Sequence, residues 1–279
     1  MCIRDRGYPA SNAAVNRLIG DLLEISLEKE VGAGPELAEG LEIEPVGDST
    51  VEVLFQDAAQ KEMVRMRLGR EFEEGPGRYV QRFDRPDDPI YLTSSGLRVQ
   101  VDGNAFLRKE IIDVPGSEVI RIEGADFTLA REPGDDGLKL LGSKSSEETK
   151  SAEVSALESI LRSLTFENVY VADDERVRDL VLRPAISVEL EDGSSYDLTI
   201  AERDGRHFMQ ISGRHSVSQV AISLDEAEEE LQEKADMLTR ADEIDEFNQF
   251  HGSWVYELSE AKGRRLLLSR EDLVEAETT

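Results

Sequence analysis

The residues best suited to chemistry in this sequence are two histidines in matching settings. His207 and His215 close the triplets Gly205-Arg206-His207 and Gly213-Arg214-His215. Imidazole serves both metal binding and proton transfer near neutral pH. However, Gly77-Arg78-Tyr79-Val80-Gln81 occupies the same place in an earlier copy of the pattern as Gly205-Arg206-His207-Phe208-Met209-Gln210. A ring after Gly-Arg at a hairpin entry serves both copies, so His207 reads as a framework or surface residue. His251 lies beside Gly252 in an expected loop, without a partner nearby in sequence.

The other candidates also have simpler readings. Gly32-x-Gly34 opens like a dinucleotide fingerprint, but Pro35 follows and Leu37 stands where the third glycine belongs. The sequence contains no P-loop, no Gly-x-Ser-x-Gly elbow and no His-Glu-x-x-His. Asp87-Asp88 and Asp173-Asp174 fall in expected turns, where Asp bends and caps the chain. Asp135-Asp136-Gly137 lacks the alternating ligands and closing Glu of a calcium loop. Trp254, alternating with Tyr256 and Leu258, reads as a core strand, and Arg264-Arg265 as a small solvated basic spot. No catalytic, cofactor-binding or metal-ligating residue is assigned, and no cofactor is expected.

The elements that would position these residues come in two copies. Val15, Leu18, Leu22, Glu28, Ala33, Glu36, Leu41 and Pro45 recur without insertion as Val154, Leu157, Leu161, Glu167, Ala172, Glu175, Leu180 and Pro184. In the first copy, Pro9 and Ser11 start a helix whose apolar face is Val15, Leu18, Ile19, Leu22, Leu23 and Ile25. A strand at 27–31, a turn at 36–40 and period-two runs at 51–55, 63–68 and 78–83 follow, with an edge strand at 90–93. The second copy has strands at 119–123, 127–131 and 138–141, then a helix over 152–164 and strands at 166–171, 186–190, 196–201 and 207–211. Ser223 and Glu226 have capping-box spacing for a third helix with Leu224, Ala227, Leu231, Ala235 and Leu238 as its buried stripe. Closing strands are expected at 254–258 and 265–268, and Ser269 to Asp272 caps a last short helix.

Composition narrows the partners. Sixty acidic against 32 basic side chains give a net charge of −28, which repels nucleic-acid phosphates and anionic headgroups alike. The single cysteine, Cys2, allows neither a disulfide framework nor a cysteine metal site. No run approaches the roughly 18 apolar residues of a membrane span. The first copy has no counterpart to the three strands that precede the second helix. Residues 1–6 are therefore expected to be a non-native leader, and the natural beginning to be missing.

Tyr8-Pro9-Ala10 with its Val/Leu helix, Leu41-x-x-x-Pro45, Tyr79-Val80, Ile90-Tyr91-Leu92, Phe106-Leu107-Arg108-Lys109-Glu110-Ile111-Ile112-Asp113, Trp254-Val255-Tyr256-Glu257-Leu258 and Glu271-Asp272-Leu273 together resemble the family known as domain of unknown function 4340. The resemblance runs from Gly7 nearly to the end of the chain. It implies a bacterial protein with an N-terminal membrane anchor and tandem α+β domains outside the cytoplasmic membrane, associated with ABC transporters of the gliding-motility type. It supplies no catalytic residues.

The expected fold is α+β, two tandem repeats of a helix packed on an antiparallel meander. The expected division is a leader at 1–6, a truncated first unit at 7–115, a second unit at 116–222, and a C-terminal helix with closing strands at 223–279. The expected role is a non-catalytic interaction scaffold facing the cell envelope, with an ABC-transporter-like membrane complex as partner. A glycan- or cell-wall-binding domain is the alternative, and a carboxylate-pair hydrolase the third reading.

Overall fold

The computed structural model describes residues 7–44, 50–57, 59–82, 88–96, 99, 102–143, 147–215 and 228–275. Asp87, Pro45, Ser223, Leu224, Glu226, Ala227 and residues 1–6, the expected leader, lie outside them. The fold is α+β with antiparallel sheets, and the chain divides into two compact units between Arg108 and Lys109.

The first unit opens with helix α1 (Asn12–Leu23), capped where the Ser11 hydroxyl accepts from Ala14 N at 3.2 Å. Strand β1 (Leu27–Gly32) and the short helix α2 (Pro35–Gly40) follow. Strands β2 (Val51–Gln56), β3 (Glu62–Glu71) and β4 (Arg78–Arg82) form the meander that their alternation predicts. Strand β5 (Ile90–Thr93) then inserts between β1 and β4, giving the order β1-β5-β4-β3-β2. The expected edge strand is thus interior, with Ile90 and Thr93 buried, and β1 takes the edge. A 3₁₀ turn (Gly103–Phe106) brings the chain back to the start of α1, where Ser11 N donates to Phe106 O at 2.7 Å.

The second unit begins with β6 (Glu110–Ile112), a 3₁₀ turn (Gly116–Glu118), β7 (Val119–Glu123), β8 (Thr128–Ala130) and β9 (Lys139–Leu140). Helix α3 (Ser151–Glu158) is shorter than expected. Ser163 takes a positive φ of 46° and its N–H donates to Asp113 Oδ1 at 2.7 Å, so the chain leaves the helix. Ile160, Leu161 and Leu164 still reach the core. Strands β10 (Leu164–Thr165), β11 (Asn168–Val171), β12 (Arg183–Leu190), β13 (Ser194–Arg203) and β14 (Arg206–His215) precede the long helix α4 (Glu228–His251). Strand β15 (Trp254–Leu258) and helices α5 (Glu260–Leu266) and α6 (Arg270–Leu273) complete the unit. The main sheet runs β11-β15-β14-β13-β12-β7-β8-β9, and β6 pairs separately with β10.

Two expectations about this end are corrected. The segment at 265–268 belongs to α5 and its C-terminal turn, because Leu266 buries from a helix whose neighbours Arg264 and Arg265 face solvent. The stripe at Leu231, Ala235 and Leu238 does not carry α4's packing: Ala235 and Leu238 are exposed, and the buried face is Ile244 with His251. That face meets β14 at Gly213. A Cβ there would come within 3.0 Å of Ile244 Cδ1. Asn248 Oδ1 accepts from Gly213 N at 2.7 Å, while its Nδ2 donates to Gly213 O at 2.8 Å.

The sheets share a connectivity. Each unit has a helix, a first strand, a three-strand meander, and a last strand inserted between the first strand and the meander. The closing contacts also correspond. Ala10 bridges Leu107 as Thr149 bridges Val274. Ser11 N donates to Phe106 O as Lys150 N does to Leu273 O. Arg108 N donates to Pro9 O as Glu275 N does to Glu148 O. The difference lies at the far edge: β12 is paired by β7, while among the described residues β2 ends its sheet.

Candidate interaction site

The histidines do not form a constellation. His207 and His215 sit near opposite ends of β14, roughly 26 Å apart at the rise of an extended chain. His207 is buried opposite Glu202 and Leu258, as Tyr79 stands opposite Leu92 in the first unit. Its ring fills the space above Gly263, where a Cβ would lie 2.1 Å from Cγ. His251 is the last residue of α4 and not a loop residue, and its partner is close in sequence: Nδ1 lies 2.6 Å from the Tyr256 hydroxyl. Among the described residues no group of three or more His, Cys, Asp or Glu is placed to hold a metal ion.

Two of the candidate carboxylates are engaged by neighbouring cations. Asp174 receives both Arg176 Nε at 2.8 Å and Arg176 Nη2 at 2.7 Å, and Asp135 pairs with Lys139 at 2.6 Å. Lys139 is held above its ordinary range by that bond. Asp88 offers its backbone carbonyl to Gln81 Nε2 at 2.7 Å. Glu257 is the most deeply buried carboxylate described, and it accepts from Tyr170 Oη at 2.7 Å and Asn168 Nδ2 at 3.0 Å, with Arg206 at 3.6 Å. Burial, and then the bond to Glu257, push the Tyr170 phenol up to about 12. Beside this network a pocket of about 190 Å³ is lined by Tyr170, Arg176, Arg203, Asp204, Arg206 and Phe208. Arg176 stacks 4.7 Å from the Tyr170 ring centre and Arg203 5.6 Å from that of Phe208.

The glycine and arginine motifs resolve similarly. Gly32 ends β1 and Gly34 precedes α2, a helix of six residues with Pro35 in its first turn, so no long helix follows to receive a phosphate. Arg264 pairs with Glu260 on the same helix. Trp254 to Leu258 is buried at every position, the core strand that its alternation predicts.

The open apolar feature is in the first unit. A groove of about 470 Å³ runs between α1 and the β2–β3 hairpin, walled by Leu22, Leu23, Val53, Phe55, Met63 and Met66. Leu23 is 81% and Met63 64% exposed. On the opposite face of the same hairpin Arg67 pairs with Glu44 and Glu52, and Arg65 with Glu62, so the apolar side is one-sided. The sequence signalled the helix stripe but not the groove, because which part of the stripe is covered depends on strands distant in the chain. Asn248 and the Glu257 network were also missed. Single polar residues within apolar patterns give no periodic signal.

Fold and site together define an antiparallel α+β protein with an apolar groove beside a sheet edge. The chain belongs to the family described as Domain of unknown function (DUF4340), whose model matches residues 3–165. The segments at 254–258 and 271–273 that also carried the resemblance fall outside that match. No curated protein and no solved structure matches the chain.

Proposed function

We propose that this chain is a non-catalytic interaction scaffold built by using one backbone plan twice. It faces the cell envelope on the extracytoplasmic side of the inner membrane and serves an ABC-transporter-like complex of the gliding-motility type. The groove beside β2 carries this reading: large apolar side chains are left exposed where a soluble surface normally covers them. The acidic surface, net −28, supports a protein partner over nucleic acid. The shared sheet order and the corresponding contacts at Ala10 and Thr149 support the repeated plan. Affinity recovery from native membranes tests the role. Co-purification of membrane-transport components is expected, and recovery without any of them contradicts it.

A ligand-binding role is the second reading, favoured by the Tyr170–Phe208 pocket with its converging arginines. Thermal shifts with acidic and neutral glycans test it, since a ligand of the native state raises its melting temperature. A carboxylate-pair hydrolase has less support, because Glu257 is occupied as an acceptor by Tyr170 and Asn168.

A further inference from the structure

The repeated plan shows which parts of the second unit are not framework. Val177 and Leu180 stand where the first unit has Ala38 and Leu41, and both pairs pack in the core of their own unit. Around these shared positions the chain changes character. Tyr170, Arg176 and Phe208 take the places of Val31, Leu37 and Val80. Leu37 packs onto the Ala38–Leu41 cluster. Arg176 instead turns to the Tyr170 ring and to Asp174, and a cavity of about 190 Å³ opens beside it.

Three arginines line this cavity, in a chain with 60 acidic against 32 basic side chains. Arg203 and Arg206 stand directly opposite each other at the end of the β13–β14 hairpin, whose turn residues Asp204 and Gly205 take positive φ of 54° and 73°. Like charges placed opposite one another weaken strand pairing, so the sheet gains nothing from them. Arg176 gives Nε and Nη2 to Asp174, and Arg206 lies 3.6 Å from Glu257, an ion pair beyond hydrogen-bond reach. Arg203 has no carboxylate partner among the described residues. It stacks on Phe208 and donates to the Arg176 carbonyl, using one of the five donors of a guanidinium. Asp204 lines the same cavity, and its carboxylate has no ion pair among the described residues either.

The geometry points to this cavity as a binding site for a small carboxylate with a hydroxyl or ammonium group beside it, the carboxylate accepting from Arg203 and Arg206 and the neighbouring donor reaching Asp204. This rests on the ligand-binding reading above and gives that ligand a chemistry. The planar guanidinium fork matches a carboxylate through two parallel bonds. Stacking on Tyr170 and Phe208 holds Arg176 and Arg203 at the cavity wall before any ligand arrives. One arginine lacks a counter-ion, so the site matches a single negative charge. A doubly charged phosphate would meet Asp174, Asp204 and Glu257 with acid in excess. Asp204 opposes a bare anion and favours one whose charge adjoins a donor. The cavity is also smaller than the roughly 300–1,000 Å³ of drug-sized sites, which suits one acidic sugar or one amino acid.

Nitrogen-15 NMR of the whole chain, titrated with glucuronate and separately with alanine, is the test. It is read at the Arg203 and Arg206 Nε–H resonances and the Gly205 amide. Saturable shifts there with at least one probe are expected, and the one that binds tells a hydroxylated from an amino carboxylate. Arg203→Gln is expected to weaken that binding by about tenfold or more, and Asp204→Asn by about threefold or more. Because Arg203 also holds the Arg176 carbonyl, Arg203→Lys is the companion variant. It keeps the cation without the fork, and should also weaken binding while resonances elsewhere stay in place. No saturable shift with either probe, equal binding of acetate or inorganic phosphate, or unchanged affinity in Arg203→Gln overturns the inference. Saturation of the same resonances by methyl glucoside overturns it too, while leaving the ligand-binding reading standing with a neutral ligand.

Discussion

The Tyr256 hydroxyl and His251 Nδ1 lie 2.6 Å apart in a buried hydrogen bond that ties the end of α4 to the strand that follows it. Phe247 and Phe250 flank the imidazole, with ring centres 4.1 and 4.8 Å away. Tyr256→Phe leaves the ring packing but removes the partner of a buried nitrogen. A loss of about 1–3 kcal/mol is expected, measured by denaturant unfolding.

Asn248 holds the helix to β14 through both groups of the Gly213 peptide unit. Asn248→Ala is expected to cost about 1–3 kcal/mol, since two backbone groups lose their partner together. Faster exchange of the Gly213 amide would accompany it. If stability and exchange are unchanged, the amide is not the docking contact.

Leu22 and Leu161 hold the same place in the repeated pattern with different cover. Leu161→Ala should cost about 2–5 kcal/mol, as for a fully buried leucine. Leu22→Ala should cost clearly less, because the groove already exposes part of it. Hydrogen exchange reads the two units separately, which matters where unfolding is not a single step.

Tyr170 gives a pH dependence of known sign. Its folded pKa, about 12, lies above the ordinary 10.0. Between those values the unfolded chain has released a proton that the native one keeps, so stability falls as pH rises. The contribution is intact below pH 10 and lost through about 12. Tyr170→Phe should flatten this slope relative to the unaltered chain, read as urea midpoints across the window.

The strands were legible because Val51–Gln56, Arg183–Leu190 and Ser194–Arg203 alternate against a core on one face, with turn residues between them. The insertion of Ile90–Thr93 and Trp254–Leu258 inside their sheets was not. It depends on pairing with distant strands, of which local alternation carries no trace. The run Leu266-Leu267-Leu268 was ambiguous between helix and strand, as short apolar runs are, and the core took only Leu266 deeply. Leu231, Ala235 and Leu238 have helical spacing, yet packing was decided further along by Ile244 and Asn248. The framework reading of His207 rests on its correspondence to Tyr79, a comparison only a repeated pattern allows. His251 falls in the helix and not in the expected loop because the helix runs on to Gly252 without a breaker.

The most direct test of the scaffold account is quantitative co-purification from native membranes, comparing the unaltered chain with one carrying Leu23→Glu and Met63→Glu. The account expects a membrane-transport component to accompany the first and to be lost, by about tenfold or more, from the second. Equal recovery with both would contradict docking at the groove, and absence from both would contradict the scaffold role itself.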